Sequence, residues 1–500
     1  MKSLCCQTNA DFLSKPILGG LQLITIILGR SAQFLLALAM MRVATTLLSP
    51  EEMGRVSLVL TTVAFFALFL VNPVGMFINR RLHAWQASGT ARHYLIRYTS
   101  YLLLVALIAA IGLPFLYMSG VVNFGVSIGW LIFLVCGSLL FNTINQTALP
   151  SLNLLGDSGR FVLLSVATIA ASFACATLLV QMLQPSAQYW LLGLLLGQAF
   201  LAVIGTKVFF ARLQDTGTLH VPPSIHRRHL QALFSFAWPV AIAAGLGWVQ
   251  GQGYRYLMEG QLGLAQLGLF VAGYGISAGM IAGFESVLTT YFQPRLYRDV
   301  SAGHPVKQAQ AWQRYAAAVI PSLLLTVAFI AMLAPELTRV FLGKNFQSAA
   351  NYVVWGALAE AARVLMGVYS LIAHVYMRTR WLVVPGLIGA VLSITLCALF
   401  IPEFGAAGAG MALVISGSAV VLTMHVLLAR RVGGGAPLRP MFMAGVSAAA
   451  LWGMTLGLRH LLNPTGWGLI AGVLVLVGIT YLGLQYLFLR HHLEDTKREA

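Results

Sequence analysis

ILGGLQLITIILGRSAQFLLALAM, residues 17–40, is an apolar run interrupted by a single charge, Arg30. A helix needs about 20 apolar residues to cross the hydrocarbon core of a bilayer, and this stretch supplies them. Similar runs recur along the whole chain at roughly 17–40, 56–78, 97–118, 127–149, 161–183, 189–210, 234–256, 265–291, 315–338, 350–376, 382–401, 406–429, 441–460 and 467–489. The fourth is the least clear-cut, because its end is polar (Asn142, Asn145, Gln146, then Asn153). Composition agrees with the pattern. Hydrophobic residues make up 59% of the 500-residue chain and charged residues 9%, and the mean hydropathy is +0.82. Soluble domains carry about 25% charged residues, and one water-soluble core could not hide this much apolar surface. The expectation is an all-α, polytopic membrane protein with about fourteen transmembrane helices and no soluble domain.

The net charge of +17 comes from short basic clusters in the connections between apolar runs. That pattern sets orientation and meets anionic headgroups, and it differs from the single basic face that nucleic-acid binding requires. With the N-terminus inside and fourteen spans, 23 of the 31 lysines and arginines fall on inner segments, among them Arg80, Arg81, Arg97, Arg227, Arg228 and Arg490. Every alternate loop keeps that sign, so both termini are expected in the cytoplasm. Cys5 and Cys6 follow only four residues, too few for the apolar core of a signal peptide, so the first span is expected to act as its own insertion signal. Cys136, Cys175 and Cys397 lie inside apolar runs, and no spacing suggests a zinc or other metal site.

The longest connection, about 211–233, holds Arg212, His220, Pro222, Pro223, His226, Arg227, Arg228 and His229 and divides the chain. The halves carry a weak repeat at an offset of 214: LSPEEMG (48–54) aligns with LGLAQLG (262–268), each ending on a glycine that starts a new helix, Gly54 and Gly268. The expected organisation is an N-terminal lobe (1–212, spans 1–6), a basic linker (213–232), a second lobe (233–431, spans 7–12), and two further spans with a cytoplasmic tail (432–500). Parallel repeats of this kind are related by an axis along the membrane normal.

Enzyme signatures are absent: there is no Walker A sequence, HExxH or nucleophile elbow. No catalytic residue or cofactor is expected. GAAGAG at 405–410 follows no strand, and its small residues suit close helix packing. The informative residues are ionisable groups in apolar runs. A charged Arg30 at the bilayer centre costs at least about 2.5–3.5 kcal/mol, so it must face the bundle interior or a wet cavity. There its planar fork suits phosphate or carboxylate. The bland alternative is a structural pair with Glu285 or Glu360. Glu360 and Arg363 in GALAEAARVLMG (356–367) share one helix face and can neutralise each other. Glu285 in GMIAGFESVLTTYF (279–292) has no partner in its own helix, and both glutamates are ion-coupling candidates. Arg42, Arg255 and Arg55 gather at outer span ends, where snorkelling alone explains them. Arg81, beside Arg80, is either a topology signal or a receiver of an anionic headgroup. Pro73 and Pro239 are candidate hinges, because a proline inside a span frees a carbonyl.

Several stretches together resemble the Wzx-type O-antigen and exopolysaccharide flippases. MRVATTLLSPEEMGRVSLV (41–59) is similar to the segment after their first helix, and 234–277, from FSFAWPVAIAAG onward, to the start of their second lobe. VFLGKNFQSAANYVVWGAL (340–358) and FGAAGAGMALVIS (404–416) match later segments in the family's order, so the resemblance covers roughly residues 15–430. Ser49, Met53 and Phe270 depart from the usual residues. The resemblance implies the multidrug/oligosaccharidyl-lipid/polysaccharide exporter superfamily: two six-helix lobes around a cavity that opens alternately to each side. It further implies an undecaprenyl-diphosphate-linked oligosaccharide as cargo, membrane lipids and the pathway's polymerase and co-polymerase as partners, and a bacterial inner-membrane location. Arg30, with Arg81, Arg255 and Arg42, would then be the cationic cavity residues. The rivals are a multidrug/cation antiporter on the same fold, a membrane-embedded glycan polymerase or ligase, and a lipid II flippase.

Overall fold

A computed structural model describes residues 20–213, 227–301, 305–376, 378–429, 437–462 and 466–499. Cys5, Cys6 and most of the connection at 211–233 lie outside them. The first half consists of α1 (Gly20–Leu47), α2 (Pro50–Phe66), α3 (Asn72–Ala87), α4 (Ala91–Met118), α5 (Ile128–Leu154), α6 (Ser158–Met182) and α7 (Ala187–Arg212). A π turn, Ala67–Val71, joins α2 to α3 within one span. The second half runs α8 (Arg227–Gln252), α9 (Tyr254–Ser301), α10 (Pro305–Met332), the short α11 (Ala334–Phe341), α12 (Ala350–Val375), α13 (Val383–Phe404) and α14 (Ala406–Met424). α15 (Leu438–Leu462) and α16 (Trp467–Glu499) complete the chain. In hydrocarbon every backbone polar group needs an internal partner, and helices provide it.

Thirteen helical runs among the described residues are long and apolar enough to cross a membrane. One of them, Gln231–Tyr297, has 67 residues. At 1.5 Å per residue that is about 100 Å, over three times the hydrocarbon thickness. It is broken at Gly263 (φ 81°, ψ 171°) and therefore crosses twice, which gives fourteen crossings. The protein is an all-α, multi-pass membrane protein. Two boundaries differ from the sequence reading. The basic linker expected to end at 232 is already helical from Arg227, and the last helix runs on past 489 to Glu499. The fourth run, despite its polar end, is one helix through Leu154.

In the following, the inner end is the one bearing the basic connections. At the outer end the two halves share one core: Leu48, Leu58 and Leu131 of the first half pack with Tyr254, Phe270 and Ile401 of the second. At the inner end the cores separate. One gathers Leu82, Leu95, Leu152 and Phe209 from the first half alone, the other Phe292, Trp312, Ile372 and Leu428 from the second alone. The halves thus share a core outside and keep separate cores inside, and the space between the inner cores is the candidate cleft.

The outer junction is reciprocal. Ser49 caps α2, its Oγ accepting from the Glu52 N–H at 3.3 Å. With Pro50 in the first turn this fixes where the helix begins. The equivalent start, 214 residues on, is the break at Gly263 followed by Leu264. A Cβ on Gly54 would collide with the Leu264 carbonyl oxygen, and a Cβ on Gly268 with that of Pro50. Leu264 and Pro50 are themselves one repeat apart, so each half inserts its glycine against the other's helix start. The latch continues nearby. Thr45 Oγ1 accepts from the Gly343 N–H at 2.9 Å, while Glu259 in the second half accepts from Asn123 N–H at 3.2 Å in the first.

The two flanks of the cleft are unequal. Along one, aromatic rings interlock for several turns: Phe65 with Trp248 (centroids 4.9 Å) and Phe77 with Phe236 (5.8 Å), with Phe69 against Gly245. Along the other, α1 meets α9 where Met41 lies on Gly275 and Phe34 on Gly283.

Candidate functional site

Arg30 lies one helical turn inward of the Phe34–Gly283 contact. Its neighbour Gly29 packs on Val162 of α6, so Arg30 emerges between α6 and α9, where the halves begin to part. The side chain is exposed. Its Nη1 donates to Gln33 Oε1 at 3.3 Å, and its guanidinium lies 6.0 Å from the Phe161 ring centroid. No carboxylate among the described residues pairs with it. Both glutamates offered as its structural partners are held elsewhere.

They are held by Arg363. Arg363 Nε donates to Glu360 Oε2 at 2.5 Å, and Arg363 Nη2 donates to Glu285 Oε2 at 2.8 Å across from α9. The three-residue spacing read from the sequence accounts for the first bond. The second adds the partner that Glu285 lacks within its own helix. Two carboxylates on one guanidinium leave a formal charge of −1. Glu360 is the deepest of the three, its side chain 9% exposed against 44% for Arg363. Tyr274 OH donates to Glu360 Oε1 at 2.7 Å, and the Tyr274 ring lies 6.3 Å from that of Tyr254. Arg255 Nε donates to Tyr254 OH at 3.3 Å, and Arg255 Nη1 donates to Thr61 Oγ1 of α2 at 2.8 Å. Trp248 Nε1 donates to the Thr61 carbonyl at 3.2 Å. Arg255 therefore fastens the second half to the first at the outer end, and the Tyr254–Tyr274 ring contact lies between it and the Glu360–Arg363–Glu285 group. Tyr254, Tyr274 and Thr61 were not singled out from the sequence. A tyrosine in an apolar run carries no charge to mark it, and only the fold brings these three together.

The four candidate arginines do not converge. Arg42 stands twelve residues from Arg30, about 18 Å along the same helix. It donates to the Arg339 carbonyl at 3.0 Å and approaches the Trp467 ring at 6.0 Å. Arg255 is likewise at the outer end. Arg81 sits at the inner end, on the aromatic flank, 5.5 Å from the Phe77 ring. Arg55 pairs with Glu51 (2.5 Å) and Glu52 (2.6 Å), and Glu52 Oε2 also accepts from Ala187 N–H at 2.6 Å at the start of α7. Of the candidate hinges, Pro73 is buried directly after the π turn. The π turn and the proline leave carbonyls without helical donors, and Tyr101 OH donates to Leu70 O at 2.8 Å. Pro239 is exposed, and α8 continues through it.

No family model matches the chain, and no curated protein does. Solved structures do. Lipid II flippase MurJ in an inward closed conformation superposes with a TM-score of 0.65 at 13% identity, covering 95% of this chain and 99% of that one. The inward-facing conformation of a multidrug resistance MATE family transporter of the MOP superfamily gives 0.62 at 16% identity, covering 81% and 94%. An outward-facing conformation of such a transporter gives 0.53 at 14% identity, covering 82% and 94%. The chain has the fold shared by these transporters, a flippase among them.

Proposed function

We propose that the protein is a flippase that carries an undecaprenyl-diphosphate-linked oligosaccharide from the cytoplasmic to the outer leaflet of a bacterial inner membrane, for exopolysaccharide or O-antigen synthesis. The observation that carries this reading is Arg30: a permanent cation, without a carboxylate partner among the described residues, exposed where the two halves part. A diphosphate offers oxygen pairs that such a fork can bind bidentately. The headgroup must cross about 30 Å of hydrocarbon while its prenyl tail stays in lipid. In this reading the tail remains outside the α1–α9 flank, and the headgroup enters beside Arg30. Rocking of the halves about their outer junction then alternates access. Arg81 and Arg255, at the far flank and the outer end, would meet the cargo at other stages. The polymerase and co-polymerase of the pathway would receive the product. Arg30→Gln should abolish glycan export at unchanged protein level, with Arg30→Lys retaining part of it. Full export by Arg30→Gln removes Arg30 from the mechanism and the reading with it.

A second reading, a multidrug/cation antiporter, rests on the glutamate pair. Glu285 and Glu360 share a single arginine, and the residual negative charge suits a proton, a sodium ion or a cationic drug. In the flippase reading the same pair is the coupling site. Cationic-dye efflux that depends on Glu360 while glycan export is unaffected would favour the antiporter.

A further inference from the structure

A cavity of about 260 Å³ opens at the inner end on the aromatic flank, away from Arg30. It is walled by Phe77, Arg81 and Trp85 of α3, by Arg97 and Tyr98 of α4, and by Ala232 of α8. Both halves therefore contribute to it. The turn between α3 and α4 brings Trp85 onto Tyr94, stacked at 4.4 Å, and this aromatic pair stands where a headgroup layer would meet the helix ends. No acidic side chain among the described residues lines the cavity. Neither Arg81 nor Arg97 has a carboxylate partner among the described residues, and Arg81 only rests against the Phe77 ring. Tyr98, 6% exposed, also lines the chamber. Two guanidinium groups with no carboxylate partner among the described residues, in a largely apolar chamber, match an anion that brings hydrocarbon with it. Bidentate donors select a phosphate oxygen pair, and the aromatic walls accept the glycerol and upper chain.

We propose that this cavity binds the phosphate headgroup of an anionic phospholipid from the leaflet at the inner end, at a site separate from the cleft beside Arg30. A lipid seated there would touch α3 and α4 on one side and α8 on the other. It would thereby bind the two halves together along the aromatic flank and favour the arrangement that is closed on that side.

The test uses the full chain, purified and placed in nanodiscs of phosphatidylcholine with increasing phosphatidylglycerol, with lipid retention read by native mass spectrometry and unfolding temperature. Wild type should retain phosphatidylglycerol over phosphatidylcholine and unfold at higher temperature with it. Arg81→Gln/Arg97→Gln should lower retention by about thirty-fold, the combined effect of two basic side chains at a charged surface. Ala232→Trp fills the chamber from the other half and should abolish retention with both arginines in place, so an unstable double variant does not leave the question open. Arg160→Gln, at a connection elsewhere, should behave as wild type. Retention equal to wild type in both the double variant and Ala232→Trp overturns the proposal. So does inorganic phosphate that stabilises the protein as well as the lipid does, since the site would then take a free anion.

Discussion

The reciprocal glycine contact makes a quantitative demand. Adding one methyl at Gly54 or Gly268 sets a carbon against a backbone carbonyl, of Leu264 or Pro50, which cannot swing aside as a side chain would. Forcing an extra methyl into a packed contact costs about 1–3 kcal/mol. Because these glycines touch only when the outer end is closed, the cost falls on that state alone. Gly54→Ala should therefore shift the balance toward an outer-open arrangement by a factor of about 5 to 150. Gly268→Ala should do the same by symmetry. Both collisions load the closed state and opening relieves both, so the double variant should shift the balance further than either single one, up to the product of the two effects. Ser57 is the natural reporter. It lies one turn from Gly54 and one from Thr61, which Arg255 grips, it is 4% exposed, and its Oγ has no partner. A cysteine there, with the five native cysteines replaced by alanine, should label slowly with an impermeant maleimide applied outside. Labelling should accelerate in Gly54→Ala. Gly445→Ala, where a Cβ meets nothing within 4 Å, is the matched control. Unchanged labelling in a folded Gly54→Ala/Gly268→Ala protein would refute the claim that these contacts hold the outer end shut.

Two further perturbations test single buried contacts elsewhere in the fold. Arg459→Ala strips the bidentate partner from Glu336, whose side chain is only 5% exposed. It should destabilise the protein by about 3–5 kcal/mol in thermal unfolding, and Glu336→Gln in the same chain should recover part of that. Tyr101→Phe leaves the Leu70 carbonyl beside the π turn without its donor and should cost about 1–3 kcal/mol in the same assay.

The helix count was legible because hydropathy and loop charge are independent signals that agree. The repeat was legible at two glycines, and the structure explains why the match is so short: only the glycines and the helix starts they touch carry the contact. Ser49, a mild departure from the flippase pattern, turns out to be the residue that caps α2. The Glu360–Arg363 bond followed from helical spacing, since neighbours three apart share a face. The bond to Glu285 could not, because it joins helices 78 residues apart in sequence. For the same reason nothing in the sequence linked Glu336 to Arg459, or Arg81 to Arg97 and Tyr98. For Arg30, cost alone argued for a wet interior, whereas its position beside the α1–α9 flank depends on Gly29 and Phe34 meeting two different helices.

The inequality of the two flanks has a mechanical meaning. One behaves like the spine of a book, stitched by rings from Phe65 down to Phe77, and the other like the fore-edge, closed by two clasps at Met41 and Phe34. Pages open at the fore-edge. For the lipid-tailed passenger of the proposed flippase, which cannot be dropped in from water and would have to slide in sideways, the unstitched margin is the one beside Arg30.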